Sequence, residues 1–210
     1  WANYELADDI DASALDFVPI GSETAVFLGT FDGKNHTIKN LTIESSYGSV
    51  GLFGYVQGAT IKNLRFENAK VSGAWNVGVL AGKMYGSVVT NVVSLNGDAH
   101  GIRNVGGLIG LSYEDSLDVI AATGNVKGDK NVGGVVGNFH YSVLHDAFSI
   151  NIVKGREVVG GLLGFVALRY YVEDPAIHRS YSASIVKTPE DNSGEYEGYG
   201  FANMWTGSCG

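Results

Sequence analysis

Val105-Gly106-Gly107-Leu108-Ile109-Gly110 is the phrase that decides how this chain folds, because it recurs almost unchanged. Val132-Gly133-Gly134-Val135-Val136-Gly137 and Val159-Gly160-Gly161-Leu162-Leu163-Gly164 follow it, and VGLFG (Val50–Gly54) and VGVLAG (Val77–Gly82) precede it. The leading valines are spaced by 27, 28, 27 and 27 residues and the closing glycines by 28, 28, 27 and 27. A fixed period of this length marks a solenoid, whose units are too small to bury an apolar face alone and do so against their neighbours.

Between these copies lie two further phrases. One reads TIKNLTI (Thr37–Ile43), TIKNLRF (Thr60–Phe66), SVVTNVVSL (Ser87–Leu95), SLDVIAATG (Ser116–Gly124), SVLHDAFSI (Ser142–Ile150) and AIHRSYSAS (Ala176–Ser184). The other is shorter: AKVSG, GNVKG, NIVKG and SIVKT. Each repeat thus holds three short runs rich in Val and Ile, bounded by Gly or polar turns. Such runs read as strands, and none carries helical apolar spacing over ten residues. Three strands in about 27 residues fit one coil of a parallel β-helix, so the 210 residues predict an all-β solenoid of about seven coils with three short strands each. Stacked at about 4.8 Å, seven coils make a rod of about 35 Å.

The paired glycines Gly106–Gly107, Gly133–Gly134 and Gly160–Gly161 sit at equivalent points of successive coils. They supply either unusual backbone geometry or room for a neighbouring backbone at a bend. Asn76, Asn104 and Asn131 each precede a leading valine, and stacked asparagines can hydrogen-bond along a rod axis. At the next coil that position is Val158, where such a ladder must stop.

The phrases resemble the GLUG motif, with Gly51-Leu52-Phe53-Gly54, Gly107-Leu108-Ile109-Gly110 and Gly161-Leu162-Leu163-Gly164 matching directly and Gly134-Val135-Val136-Gly137 conservatively. Val79 departs from the pattern ahead of Leu80-Ala81-Gly82. The N-terminal segments LADDIDAS, FVPIG and FLGTFDGKNHTIKNLTI resemble the lead-in to such arrays, so the likeness spans about Leu6 to Val186. It implies a right-handed parallel β-helix from an extracellular bacterial protein, cell-surface or secreted. Such arrays occur in adhesin-like proteins and beside the peptidase domain of immunoglobulin-A-cleaving metallopeptidases. The motif speaks for architecture rather than activity.

The expected organisation is an N-terminal cap and first coils over 1–48, repeat coils over 49–188, and a C-terminal coil or acidic Gly-rich linker over 189–210. The chain begins at Trp1 and reads as a piece of something longer, with flanking domains. A formal net charge of −8 disfavours a nucleic-acid partner, since phosphates need a basic surface. The single Cys209 excludes an internal disulfide framework and a Cys-rich zinc site. The longest apolar run, Val158 to Leu168, is too short for a spanning helix, which needs about 20 residues.

No HExxH, GxSxG, phosphate-binding loop or CxxC signature is present, so the segment is expected to be non-catalytic, with no cofactor and no metal. The aspartates around Asp8 read as a solvated cap, with a calcium site as the rival reading. The alternative is a carbohydrate-active β-helix, a polysaccharide lyase or glycoside hydrolase, whose chemistry needs paired carboxylates on neighbouring coils. Its candidates are Glu114, Asp115 and Asp118 on one coil and His140, His145 and Asp146 on the next. A further alternative is an accessory substrate-recognition segment of an immunoglobulin A peptidase.

For binding, the residues of interest are aromatic. Tyr85, Tyr113, Tyr141, Tyr170 and Tyr171, with Tyr55 before them, fall shortly after the closing glycines. If the turns share one side, these rings form a column whose apolar faces suit a sugar or peptide while the hydroxyls stay wet. Trp75 stands in a polar turn as an anchor or a lid. Stacked aromatics also stabilise a coil edge without any ligand. The expected role is a rigid stalk, an adhesive face for a glycan or protein, or both.

Overall fold

A computed structural model describes residues 2–46, 48–168, 176–189, 195–198 and 203–204. They form a parallel β-solenoid of about six turns, with no helix among the described residues. Three sheets run along it. A long-strand sheet carries Thr60–Glu67, Val88–His100, Ser116–Lys127 and Val143–Lys154. A short-strand sheet carries Phe53–Gln57, Ala81–Tyr85, Ile109–Tyr113, Val136–His140 and Leu163–Ala167. A narrow third sheet holds Trp75–Val77, Arg103–Gly106, Lys130–Gly133 and Glu157–Gly160.

Two expectations are corrected. Dividing chain length by the period predicts seven coils, but the last step is longer, Ser149 pairing with Ser182, 33 residues on, and Glu195–Gly198 then pairs antiparallel to the preceding strand rather than adding a rung to that sheet. The predicted strand boundaries also shift. The second and third phrases merge into one bent strand of 12 or 13 residues in the later coils. The VGGLIG phrase, in contrast, is split. Arg103–Gly106 ends one sheet and Ile109–Tyr113 begins another, so Gly107-Leu108 is a corner.

That corner explains the glycines. A Cβ on Gly107 would lie 2.2 Å from the Gly134 carbonyl oxygen, and one on Gly134 would lie 2.0 Å from that of Gly161. Neither has positive φ, so the requirement is close backbone approach. The left-handed turns fall instead to other residues. Fifteen of the sixteen positive-φ residues other than glycine occupy four columns of equivalent sites. One column runs Asn35, Asn63, Asn91, Val119, Asp146 and Arg179; another Asn40, Asn68 and Asn96; a third Asn76, Asn104, Asn131 and Val158. The fourth runs Gly58, Gly86, Glu114 and Tyr141. Asparagine dominates because its short polar side chain tolerates this conformation. Asn96 also accounts for the drop in period from 28 to 27. Ser94 pairs with Ala122 but Gly97 with Gly124, so Asn96 is the residue the next coil lacks.

The expected asparagine ladder is present. Asn104 Nδ2 donates to Asn76 Oδ1 at 2.7 Å and Asn131 Nδ2 to Asn104 Oδ1 at 2.8 Å, with Asn76 Nδ2 reaching Ser49 Oγ at 3.2 Å. A second ladder joins Asn91 to Asn63 at 3.0 Å and Asn63 to Asp32 at 3.0 Å. Inside the coils, apolar columns fill the core: Val50, Val77, Val105 and Val132; Ile61, Val89, Leu117 and Leu144; Phe53, Ala81, Ile109, Val136 and Leu163. At the N-terminal end Asn3–Glu5 lies on Thr30–Asp32 and Ile10–Asp11 on Ile38–Lys39. Toward the C-terminus Glu195–Gly198 pairs antiparallel with Ile185–Pro189, and Asn203 and Met204 pair in parallel with Phe165 and Val166.

Candidate binding face

The short-strand sheet ends at a corner where ring side chains stack. Parallel register places Tyr85 beside Tyr113 and Tyr113 beside His140. The Tyr85 and Tyr113 rings are 5.1 Å apart and 9° from parallel, and Tyr113 and His140 are 6.1 Å and 21°. His140 then meets Phe165 at 5.2 Å. Because the rings stack along the rod, their faces cover one another, and their edges point outward. Such contacts contribute about 0.5–1.5 kcal/mol per pair beyond burial.

Tyr141 lies one residue past this column. It occupies the left-handed corner, φ 51°, where the preceding coils have Gly58, Gly86 and Glu114. Its ring stands edge-on to Tyr113 (5.5 Å, 83°) and to His140 (5.9 Å, 81°), and it is 39% exposed. Tyr55 belongs to another column, where its register partner is Lys83, whose ammonium sits 4.1 Å from the ring centroid. Trp75 is not with the tyrosines. It begins the third sheet, 54% exposed, beside Arg103, whose guanidinium lies 6.0 Å from the indole. Tyr170 and Tyr171 lie outside the described residues. Sequence reasoning missed His140 as the column's third ring, although its offset of three from Gly137 equals that of Tyr113 from Gly110.

Charge sits at this corner too. The Glu114 carboxylate pushes the Tyr85 phenol above its usual range by proximity and hydrogen bonding. His140 is pulled below the ordinary imidazole value by partial burial. Asp115 points inward and is 2% exposed. It accepts hydrogen bonds from Ser87 N at 2.8 Å, Ser112 Oγ at 2.7 Å and Tyr113 N at 3.1 Å, tying two coils together. Desolvation nevertheless raises its pKa to about 7.

Of the other candidate acid–base residues, Asp146 is held in an ion pair, whereas His145 Nε2 is buried without a hydrogen-bond partner among the described residues. Asp146 receives Arg179 through two bonds of 2.6 Å, which hold its carboxyl below the usual range. Asp118 pairs in register with His145, and His145 with His178, the two imidazoles meeting at 4.6 Å. At the N-terminal end Asp8, Asp9 and His36 converge within 4.8 Å. Asp9 there accepts the Thr37 amide at 2.9 Å, which lowers its pKa, and faces His36 and Lys39.

No family model matches the chain. Over 91 residues, 37% of this chain, it is 40% identical to Halomucin of Haloquadratum walsbyi, of which it spans about 1%. Its fold is similar to that of a crystal structure from Bacteroides ovatus described as a "putative immunoglobulin A1 protease", with a TM-score of 0.58 at 16% identity, over 95% of this chain and 75% of that one.

Proposed function

We propose that this chain is a non-catalytic repeat module of an extracellular bacterial protein, secreted or on the cell surface, in which a rigid rod carries an adhesive strip. The GLUG-like phrases, the solenoid likeness to the Bacteroides ovatus chain and the local identity to Halomucin support the extracellular reading. The observation that carries the rod is the unbroken register from Phe53 through Ala81, Ile109 and Val136 to Leu163. Each coil is tied to the next by parallel hydrogen bonds and a continuous core, so bending requires breaking several ladders at once. About six coils at about 4.8 Å span about 29 Å.

The strip is Tyr85, Tyr113 and Tyr141 with His140. It offers a glycan or protein partner a row of hydroxyl and imidazole edges and, at Tyr141, an exposed ring. Asp115 supports the non-catalytic reading, since this candidate carboxylate is sealed inside and bound by two backbone amides and a hydroxyl. The test is a glycan and host-protein array probed with the parent chain, Tyr85→Ala and Tyr141→Ala. Binding that falls at least tenfold in either variant supports the strip, and binding unchanged in both removes it. In parallel, plant, algal and host polysaccharides incubated with the chain should yield no new reducing or unsaturated ends. Release that vanishes in Asp146→Asn would replace this reading with an enzymatic one.

A further inference from the structure

The short phrase ending in Val-Lys-Gly has a structural consequence on another corner of the coil. Register places His100, Lys127, Lys154 and Lys187 directly above one another at the end of the long-strand sheet. Beside them runs a column of glycines, Gly101, Gly128 and Gly155, and beyond it a second wall of Ile102, Asp129 and Arg156. The result is an open groove of about 420 Å³ running along the rod axis.

Its floor is narrow for a packing reason. A Cβ on Gly128 would lie 2.8 Å from Val105 Cγ2, and one on Gly155 would lie 2.8 Å from Val132 Cγ2. The core therefore forbids side chains there, and the outer surface is bare backbone. The floor amides are already bonded: Gly101 N to Lys127 O, Gly128 N to Lys154 O and Gly155 N to Lys187 O. A ligand would thus be held by the walls. Arg156 faces Asp129 at 3.7 Å, whereas Lys127 and Lys154 enter no ion pair among the described residues. In a chain of formal net charge −8, a file of cations repeating once per coil stands against the overall balance.

We propose that this groove binds an extended acidic polysaccharide, bearing carboxylates or sulfates, laid parallel to the rod axis. The repeat of about 4.8 Å per coil is close to the length of one pyranose ring in an extended chain, so successive acidic sugars meet successive lysines. The exposed Ile102 gives a sugar ring an apolar contact. A nucleic acid fits less well: among the described residues lining the groove the His100 imidazole is the one ring that could stack a base, and the chain as a whole is acidic. Each contact is a single ammonium in water, so one acidic sugar binds weakly and a chain spanning several coils gains by multivalency. The groove is separate from the tyrosine strip and does not depend on it.

The experiment is calorimetric titration of the full chain at low salt with four ligands. They are an oligogalacturonate long enough to span four coils, a sulfated oligosaccharide of equal length, a neutral cello-oligosaccharide, and single-stranded DNA of matching charge. One or both acidic glycans should bind, and which one identifies the anionic group. That affinity should fall about tenfold or more between 50 and 200 mM salt. Lys127→Gln with Lys154→Gln should lower it at least tenfold with unchanged circular dichroism, while Arg65→Gln, outside the groove, leaves it intact. Binding of neither acidic glycan, affinity undiminished in the double variant, or DNA binding as tight as either glycan would each overturn the proposal.

Discussion

Val158 is the misfit of the third corner column, and replacing it with asparagine tests the logic of the whole rod. Asn76, Asn104 and Asn131 take φ of 49°, 55° and 55° at this site, and Val158 takes 56°. A β-branched residue in this conformation costs about 1–2 kcal/mol, most of which asparagine avoids. Because Val132 pairs with Val159, residue 158 lies over Asn131 and can donate to its Oδ1, as Asn131 does to Asn104. One such bond contributes about 1 kcal/mol net. Against this, the half-buried Val158 side chain gives up roughly 1 kcal/mol of burial. The balance for Val158→Asn is a gain of about 1–2 kcal/mol, or about 2–8 °C in Tm at this chain length. Thermal and urea unfolding should be followed by both circular dichroism and tyrosine fluorescence, since solenoids can unfold in parts. Val158→Gly relieves the backbone without supplying the bond and should gain less. A Tm that falls in the asparagine variant, or a glycine variant equal to it, would refute the ladder as a source of stability.

Three further outcomes are expected. Asp115 has its pKa raised to about 7 by burial, so the folded state holds its proton more tightly than the unfolded state. The sign is therefore opposite to that of Asp9 or Asp146. Its destabilisation is absent below about pH 4 and complete above about pH 7, so the parent should gain on Asp115→Asn as pH falls from 8 to 4, by up to roughly 4 kcal/mol. A flat difference in urea midpoints across that range would contradict this. Gly134→Ala places a Cβ 2.0 Å from a backbone oxygen and should cost more than about 4 kcal/mol or abolish soluble expression. Gly86→Ala, into open space at φ 56°, should cost only about 1–2 kcal/mol, and equal losses in the two would sink the close-approach argument. Ser94 Oγ is fully buried without a hydrogen-bond partner among the described residues, so Ser94→Ala should raise stability by about 1 kcal/mol, read from the urea midpoint.

Much of the architecture is legible in the chain because the period is a local, repeated property. The spacing of VGGLIG phrases, the alternation of Val and Ile in short runs, and the asparagines one residue ahead of Val77, Val105 and Val132 each have a direct physical reading. Residues one coil apart must stack if the coils are to bury their apolar faces. The sequence therefore implies a parallel all-β rod and its Asn76–Asn104–Asn131 ladder without reference to coordinates. The Lys127, Lys154 and Lys187 column was equally legible, since all three stand at the same place in the same phrase.

The tertiary structure decided what depends on a shift of one residue or on contacts across coils. Tyr141 and Tyr113 differ by one position in their offset from a closing glycine. That single step moves Tyr141 out of the strand and into a left-handed corner, leaving His140 to complete the stack. Asp115 reads as a surface acid in a polar run, and only the inward turn of its corner, with Ser87 and Ser142 above and below, makes it a buried one. The glycine pairs announce a bend, but whether they serve φ or proximity is settled by a carbonyl on the next coil, which lies 27 residues away in sequence and about 2 Å from where a methyl group would be.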